Sequence, residues 1–562
     1  MRARRIGIGD QLVAIPVHVK SMGGCGLAVG PMRAEVGPCN RTAVRLQESA
    51  LAERFWWLVA TSRLTIPLLI FAMAIALRLP YLMEAPGFTD EGIDVKVGLA
   101  ALHGQWPLVD AEPYIGSLFN YLIAGGFLVL GHNPVVPRLV VTVLGALTVV
   151  LSYFLAKRLA GTTAALITTG LMATSAVHIW NGHIAWSNCT TPFFTTATML
   201  VLVEARIRRS GPLLVAAGAL YGLALQTHFS VTFLAPALLV YVSPLLRRSS
   251  LLRTPWPYLA IIAAILAYGN VIAYNVLNPG AFETAAREKE YGYVVGPTLD
   301  SYLINLQALA AAVVRMVSSS FGGGPSVIDQ ASLLINLPYV ALLLIGIVYG
   351  IWRRQLLPLM AIGVTVLMMP YLNKEYGFPF GVRYLGYLLP LLYLLMALPL
   401  ARILDILGQR ARTAALALWP LCLLLVAVPA VNLFIYNEFY LALGATSPTI
   451  LTIESEIRVR YQAGVIHEVL LDEQLDWVYT APGGRALRAF DALFDVDQVP
   501  HRTVWMRPDN LRKELSGARR PLVLILSDAS RQRVGEGFGL VRMDAPNRRY
   551  VGRGGYWAYY LP

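Results

Sequence analysis

The chain has 562 residues, of which 56% are hydrophobic and 14% charged, and its formal net charge is +13. Many apolar runs are long enough to cross about 30 Å of hydrocarbon, which excludes an ordinary soluble protein and makes this a polytopic membrane protein. The basic excess falls mostly in short clusters at the ends of apolar runs, so no nucleic-acid partner is expected, and cysteines at 25, 39, 189 and 422 form neither a disulfide framework nor a zinc set.

Residues 1–63 are a basic segment whose first 45 residues, rich in Gly, Arg and Val, lack apolar periodicity and the continuous apolar core of a signal peptide. They are expected to be cytoplasmic and partly disordered. Eleven membrane spans follow, near 64–83, 136–156, 163–181, 191–205, 212–228, 230–246, 256–275, 332–351, 356–372, 384–401 and 414–434. Basic clusters at Arg54/Arg63, Lys157/Arg158, Arg206/Arg208/Arg209, Arg247/Arg248/Arg253, Arg353/Arg354 and Arg402/Arg410/Arg412 mark every second junction. The Lys/Arg bias of cytoplasmic loops then puts the N-terminus in the cytoplasm and the C-terminal residues outside a plasma or inner membrane.

The loops on the opposite side, 84–135, 276–331 and 373–383, are long or polar. Within the first, "YIGSLFNYLIAGGFLVLG" reads as a helix lying along the outer surface, because a crossing there would reverse the side of the next three basic clusters. Residues 299–318 are expected to form a second surface helix. From residue 437 the pattern becomes that of a soluble α/β domain, 437–562: "DWVYTA" and "PLVLILSD" read as buried strands, "PDNLRKELSG" as a capped helix and "GYWAYYL" as a closing strand. The expected fold class is mainly α: a catalytic membrane domain over 64–436, with about 11 transmembrane helices and outer-surface helices, and a small extracytoplasmic α/β domain.

This topology gathers a short list of polar groups on the outer side. Asp90 and Glu91 follow the first span, Glu112 lies later in that loop, and Arg138 opens the second span. His178, His183 and Asn188 flank the turn between the third and fourth spans, His228 ends the fifth, and Lys374, Glu375, Arg383 and Tyr384 precede the tenth. Carboxylates beside hydrocarbon are costly, so the Asp90/Glu91 pair points to function. A general base there could deprotonate an acceptor hydroxyl or amine while Arg, Lys or His stabilises a departing phosphate. That chemistry suits glycosyl transfer from a lipid-linked sugar, whose phosphate rests at the bilayer interface.

The stretch "LRLPYLMEAPGFTDEGIDVKVGLAALHGQWPLVDAEPY" resembles the first outer loop of GT-C superfamily glycosyltransferases, in the branch of the protein O-mannosyltransferases and aminoarabinose transferases. The shared order is Arg78, Asp90/Glu91, the turn Gly104 to Pro107 and the surface helix at 117–130; "VVPRLVVTVLGALTVVLSYFLAKRLAG" and "RYLGYLLPLLYLL" extend the resemblance over about 64–435. It implies a polyprenyl-phosphate sugar as donor, Asp90 as catalytic base, and Glu91 shaping its environment or the metal or acceptor site. It implies further that Arg138 and Arg383 bear on the lipid phosphate or hold the loops, with His228, Lys374 and Tyr384 beside the donor and Glu112, His183 and Asn188 lining the site. The chain departs from its relatives at three places, with Glu112 for a Lys, Asn188 for an Asp and His228 for a Lys. No motif requires a cofactor; a divalent metal is the one candidate, and these charge changes bear on it directly.

The expected function is therefore transfer of a sugar from a polyprenyl-phosphate carrier to a glycan, lipid or protein acceptor outside the cytoplasm, within the lipid bilayer. A lipid-linked saccharide flippase or transporter, which would show polar spans or paired broken helices, and a non-catalytic polyprenyl-lipid binder are the alternatives.

Overall fold

The structure, a computed structural model, describes residues 64–82, 91–133, 135–248, 251–285, 298–320, 326–372, 381–410 and 412–442, and beyond these chiefly five short strands. Among the described residues sixteen helices run in order: α1 Thr65–Ala76, α2 Glu91–Leu102, α3 Leu118–Leu130, α4 Val136–Ala160, α5 Thr162–Thr174, α6 Ala176–Asn181, α7 Thr191–Arg208 and α8 Gly211–Thr227, then α9 Leu234–Arg248, α10 Trp256–Ala267, α11 Gly269–Leu277, α12 Leu299–Ser318, α13 Ser326–Trp352, α14 Leu356–Leu372, α15 Leu389–Arg410 and α16 Arg412–Ala442. Short 3₁₀ turns at Ser187–Thr190, Phe229–Phe233 and Gly381–Leu388 link α6 to α7, α8 to α9 and α14 to α15.

Each expected span contains helix, and the helix ends carry recognisable chemistry. Pro137 and Pro192 sit in the first turns of α4 and α7, where a missing N–H costs nothing. Gly161, at φ +89, ends α4 and opens α5. Among the described residues, six helical stretches are long and apolar enough to cross a membrane, or seven when α10 and α11 count as one. These two form a span broken by 58° at Tyr268, a bend not expected from the sequence. Helix α3, with 13 residues, reaches only about 20 Å and cannot cross alone. Helix α12, expected to lie on a surface, is long and apolar enough to cross.

Packing is closest at glycines. A Cβ at Gly218 or Gly222 would collide with the carbonyl oxygens of Ala260 and Ala264, so α8 and α10 meet backbone to backbone, as small residues allow between membrane helices. The turn after α1 is pinned at several points. Tyr81 holds a left-handed φ of 61°, rare for a bulky residue, and its hydroxyl donates to Glu438 of α16. Arg78, fully buried, donates to the Ala74 and Ala173 carbonyls at the C-terminal ends of α1 and α5 and to His178 Nδ1 at 2.6 Å, so helix-end dipoles face its charge.

Strands β1 Val478–Thr480, β2 Thr503–Trp505, β3 Leu522–Ser527, β4 Val541–Arg542 and β5 Tyr556–Leu561 form one sheet in the order β2-β1-β3-β5-β4. β1 runs parallel to β2 and β3, and β5 antiparallel to β3, with Leu522 opposite Leu561. Three of these strands coincide with those read from the sequence. Of the expected capped helix at "PDNLRKELSG" only Lys513 and Ser516 are described, both helical, with Ser516 Oγ donating to the Lys513 carbonyl at 2.7 Å; the N-terminal 63 residues lie outside the described residues.

Candidate active site

Helix α2 begins at Glu91, immediately after Asp90, which lies outside the described residues, as does Lys374. Acids in a first turn suit the helix dipole, yet Glu91 and Asp94 are both buried and both reach other segments. The Glu91 carboxylate is held by the guanidinium of Arg138 in a two-pronged ion pair, Nε to Oε1 at 3.0 Å and Nη2 to Oε2 at 2.9 Å. Arg138 Nη1 donates to the Leu82 carbonyl at 2.7 Å, and Glu91 Oε1 also accepts the Ala185 N–H at 2.7 Å. One buried pair thus ties the exit of α1, the starts of α2 and α4, and the turn after α6.

One helical turn on, Asp94 Oδ1 accepts the Ser187 N–H at 3.2 Å. Ser187 Oγ donates in turn to the Thr227 carbonyl at the end of α8, and Thr227 shares a 2.8 Å hydroxyl contact with Thr191. Ala185 and Ser187 are therefore fixed by two acids of a single helix, and Trp186 between them is presented outward. The Arg383 guanidinium lies 4.2 Å from the Trp186 ring centre and 4.4 Å from that of Tyr384, whose hydroxyl it also reaches at 2.8 Å. Tyr384 stacks on the His228 imidazole, with ring centres 4.8 Å apart.

His228 Nδ1 accepts the Ser230 N–H at 3.1 Å. A backbone amide can only donate, so Nδ1 carries no proton here and Nε2 does, which makes His228 a neutral donor through Nε2. The Cys189 thiol registers the same convergence: burial pushes it up, the Arg383 charge draws it down, and Glu91 and Asp94 push it up again. Arg383, Glu91 and Asp94 therefore all lie near this thiol.

Of the remaining residues read from the sequence, Tyr384 and Arg383 lie within this cluster, and Asn188 is buried beside it, accepting from Cys189 Sγ at 3.5 Å. Glu112 is half-buried in the turn before α3, close enough to raise the proton affinity of Asp110. His183 is buried beneath, with Nε2 at 2.6 Å from the Arg78 carbonyl, and His178 belongs to Arg78. Among the described residues no three His, Cys, Asp or Glu side chains are grouped to hold a metal, and Glu91 is committed to Arg138, so the described donors do not make a metal centre.

Asp94, Asp110 and Trp186 were not legible as site residues. Asp94 stands at i+3 from Glu91, on the same helix face, which was the available signal; the roles of Asp110 and Trp186 arise only from tertiary contact.

Residues 116–274 match the model of the family described as dolichyl-phosphate-mannose-protein mannosyltransferase. The match includes Arg138, His183, Asn188 and His228 and stops short of Glu91 and Arg383. No curated protein sequence matches the chain. Among solved structures, ArnT from Cupriavidus metallidurans bound to undecaprenyl phosphate superposes with a TM-score of 0.59 at 14% identity, over 89% of this chain and 99% of that one. The apo state of the same protein gives 0.56 at 14% identity, over 88% and 97%. The fold is shared over nearly the whole of both chains. The chain has the fold of these structures, and its residues 116–274 are similar to the dolichyl-phosphate-mannose-protein mannosyltransferase family.

Proposed function

We propose that the protein transfers a sugar from a polyprenyl-phosphate carrier to an acceptor at the outer face of the membrane, with Asp90 as general base. The observation that carries this reading is the buried Glu91–Arg138 pair, which fixes the chain at the residue next to Asp90 and, through the Ala185 N–H, ties it to the turn whose Trp186 meets Arg383, beside Tyr384 and His228. Asp90 takes a proton from the acceptor hydroxyl or amine, the acceptor attacks the anomeric carbon, and the bond from that carbon to the phosphate oxygen breaks. The polyprenyl phosphate leaves with the extra negative charge, stabilised by the His228 Nε2–H, Arg383 and Lys374. Arg138 serves as a loop-holding residue, since its guanidinium is taken up by Glu91 and the Leu82 carbonyl.

The ArnT structure bound to undecaprenyl phosphate supports a lipid-phosphate donor by shared fold, and the matching family is named for a dolichyl-phosphate-linked mannose. The alternation of basic clusters supports eleven spans with α3 and α12 along the outer surface, and residues 437–562 acting as an extracytoplasmic α/β domain.

The test incubates purified protein with a panel of polyprenyl-phosphate sugars and compares wild type with Asp90→Asn. Turnover should fall by about 10²- to 10⁴-fold in the variant. Equal turnover overturns the assignment of the base, and no turnover by folded wild type across the panel favours a transporter or a lipid binder.

A further inference from the structure

We propose that Asp94 and Asp110 form a carboxyl pair sharing one proton, and that this pair is the positioning device that keeps the Ala185–Ser187 segment, and so Trp186 beneath Arg383, in place. Asp94 is wholly buried and Asp110 nearly so. Asn120 Nδ2 bridges them, donating to the Asp94 carbonyl at 3.1 Å and to Asp110 Oδ1 at 3.1 Å. The second oxygen of each carboxyl, Asp94 Oδ2 and Asp110 Oδ2, has no hydrogen-bond partner among the described residues, although the two groups lie within hydrogen-bonding reach of each other. Two ionised carboxylates are acceptors only and repel. A proton on Asp94 Oδ2, donated to Asp110 Oδ2, satisfies both oxygens at once and leaves Asp94 Oδ1 free to accept from Ser187.

The surroundings agree on which partner holds the proton. Burial raises the proton affinity of Asp94 far above the ordinary aspartate range, and the charge and hydrogen bond of Asp110 raise it further. Burial raises Asp110 as well, but Asp94, Asn120 and the Ala111 N–H all favour its ionised form. Among the described residues the charged groups around the pair are Glu91 and Lys96 on α2, Glu112 in the turn, Arg138 on α4 bound to Glu91, and Arg383 across Cys189; α3 contributes the neutral Asn120. Among the described residues no cation is paired with either carboxyl, so a proton is the neutralising agent we assign.

Because the folded state raises the proton affinity of Asp94, the stability this group contributes is full below the ordinary aspartate pKa and is lost as pH rises through its folded value. The positional role rests on the glycosyl-transfer reading; the proton does not, and its test needs no donor. Asp94→Asn copies the protonated acid, with an amide N–H for Asp110 and a carbonyl oxygen for Ser187, whereas Asp94→Ala removes both bonds. Purified full-length wild type at neutral pH should show the infrared carbonyl stretch of a protonated carboxylic acid, absent in Asp94→Asn. Wild-type melting temperature should fall by several degrees from acidic to alkaline pH, Asp94→Asn should flatten that profile, and Asp94→Ala should melt lower throughout. A missing carboxylic-acid band, Asp94→Asn melting as low as Asp94→Ala, or stabilisation by magnesium or calcium that Asp94→Asn abolishes would each overturn the proposal.

Discussion

Glu91 and Arg138 show what a single residue does here. Their side chains are 7% and 3% exposed, so the charges meet almost without water, and backbone groups join the pair: the Leu82 carbonyl accepts from Arg138 and the Ala185 N–H donates to Glu91. Removing one partner leaves a buried charge alone, which costs about 3–5 kcal/mol. Glu91→Ala is therefore expected to lower the melting temperature sharply in detergent. Arg138→Lys is expected to do so nearly as much, because an ammonium cannot hold both carboxylate oxygens and the Leu82 carbonyl together. A melt unchanged in either variant would sink the account of the pair. The sequence made Asp90, Glu91 and Arg138 legible because charges at an apolar boundary stand out. It hid Asp94 and Asp110, because an acid in a polar loop looks solvated until the fold buries it.

At the scale of elements, the break between α10 and α11 is the chief surprise. Residues 256–275 read as one uninterrupted span, yet the axis turns by 58° at Tyr268. The freed polar groups are used. Tyr268 donates to the Tyr114 carbonyl at 2.8 Å, Asn270 to Leu108 at 2.7 Å and Asn275 to Pro113 at 2.6 Å, while Gln226 of α8 accepts from Asn270 and from Gly116. The bent pair thus fastens the turn that contains Asp110 and Glu112. Asn270→Ala is expected to loosen that turn, raising hydrogen exchange over 107–116 while α4 and α15 stay protected; exchange unchanged there would refute the fastening. The local sequence Tyr-Gly-Asn carried the signal, but an isolated glycine in an apolar run is common in membrane helices, so it decides nothing alone.

For the whole molecule, the order of apolar helices was readable from the sequence, and the same fold recurs in ArnT at 14% identity. Such a fold tolerates wide substitution because lipid-facing positions ask only for apolarity, whereas helix count and sidedness depend on weaker cues such as loop charge. The exposed Trp106, expected outside, and the basic cluster at Arg209, expected in the cytoplasm, give a direct check of sidedness. With the native cysteines replaced, Trp106→Cys should react with a membrane-impermeant thiol reagent added outside, and Arg209→Cys only after permeabilisation. The reverse pattern would invert the topology.

The stretch Gly381–Gly408 is almost entirely enclosed, packed against α5 and α13, whereas Leu418–Glu438 is mostly uncovered. Ribosomal synthesis delivers the enclosed helix late, after the partners that surround it have entered the bilayer. Those partners must therefore wait around an unfilled groove, and a nascent chain halted before Gly381 would show that groove to lipid and to membrane quality control. About two thirds of the chain could be made and inserted while Arg383 and Tyr384 were still missing from it, so the contacts of Arg383 with Trp186 and of Tyr384 with His228 form only after that point.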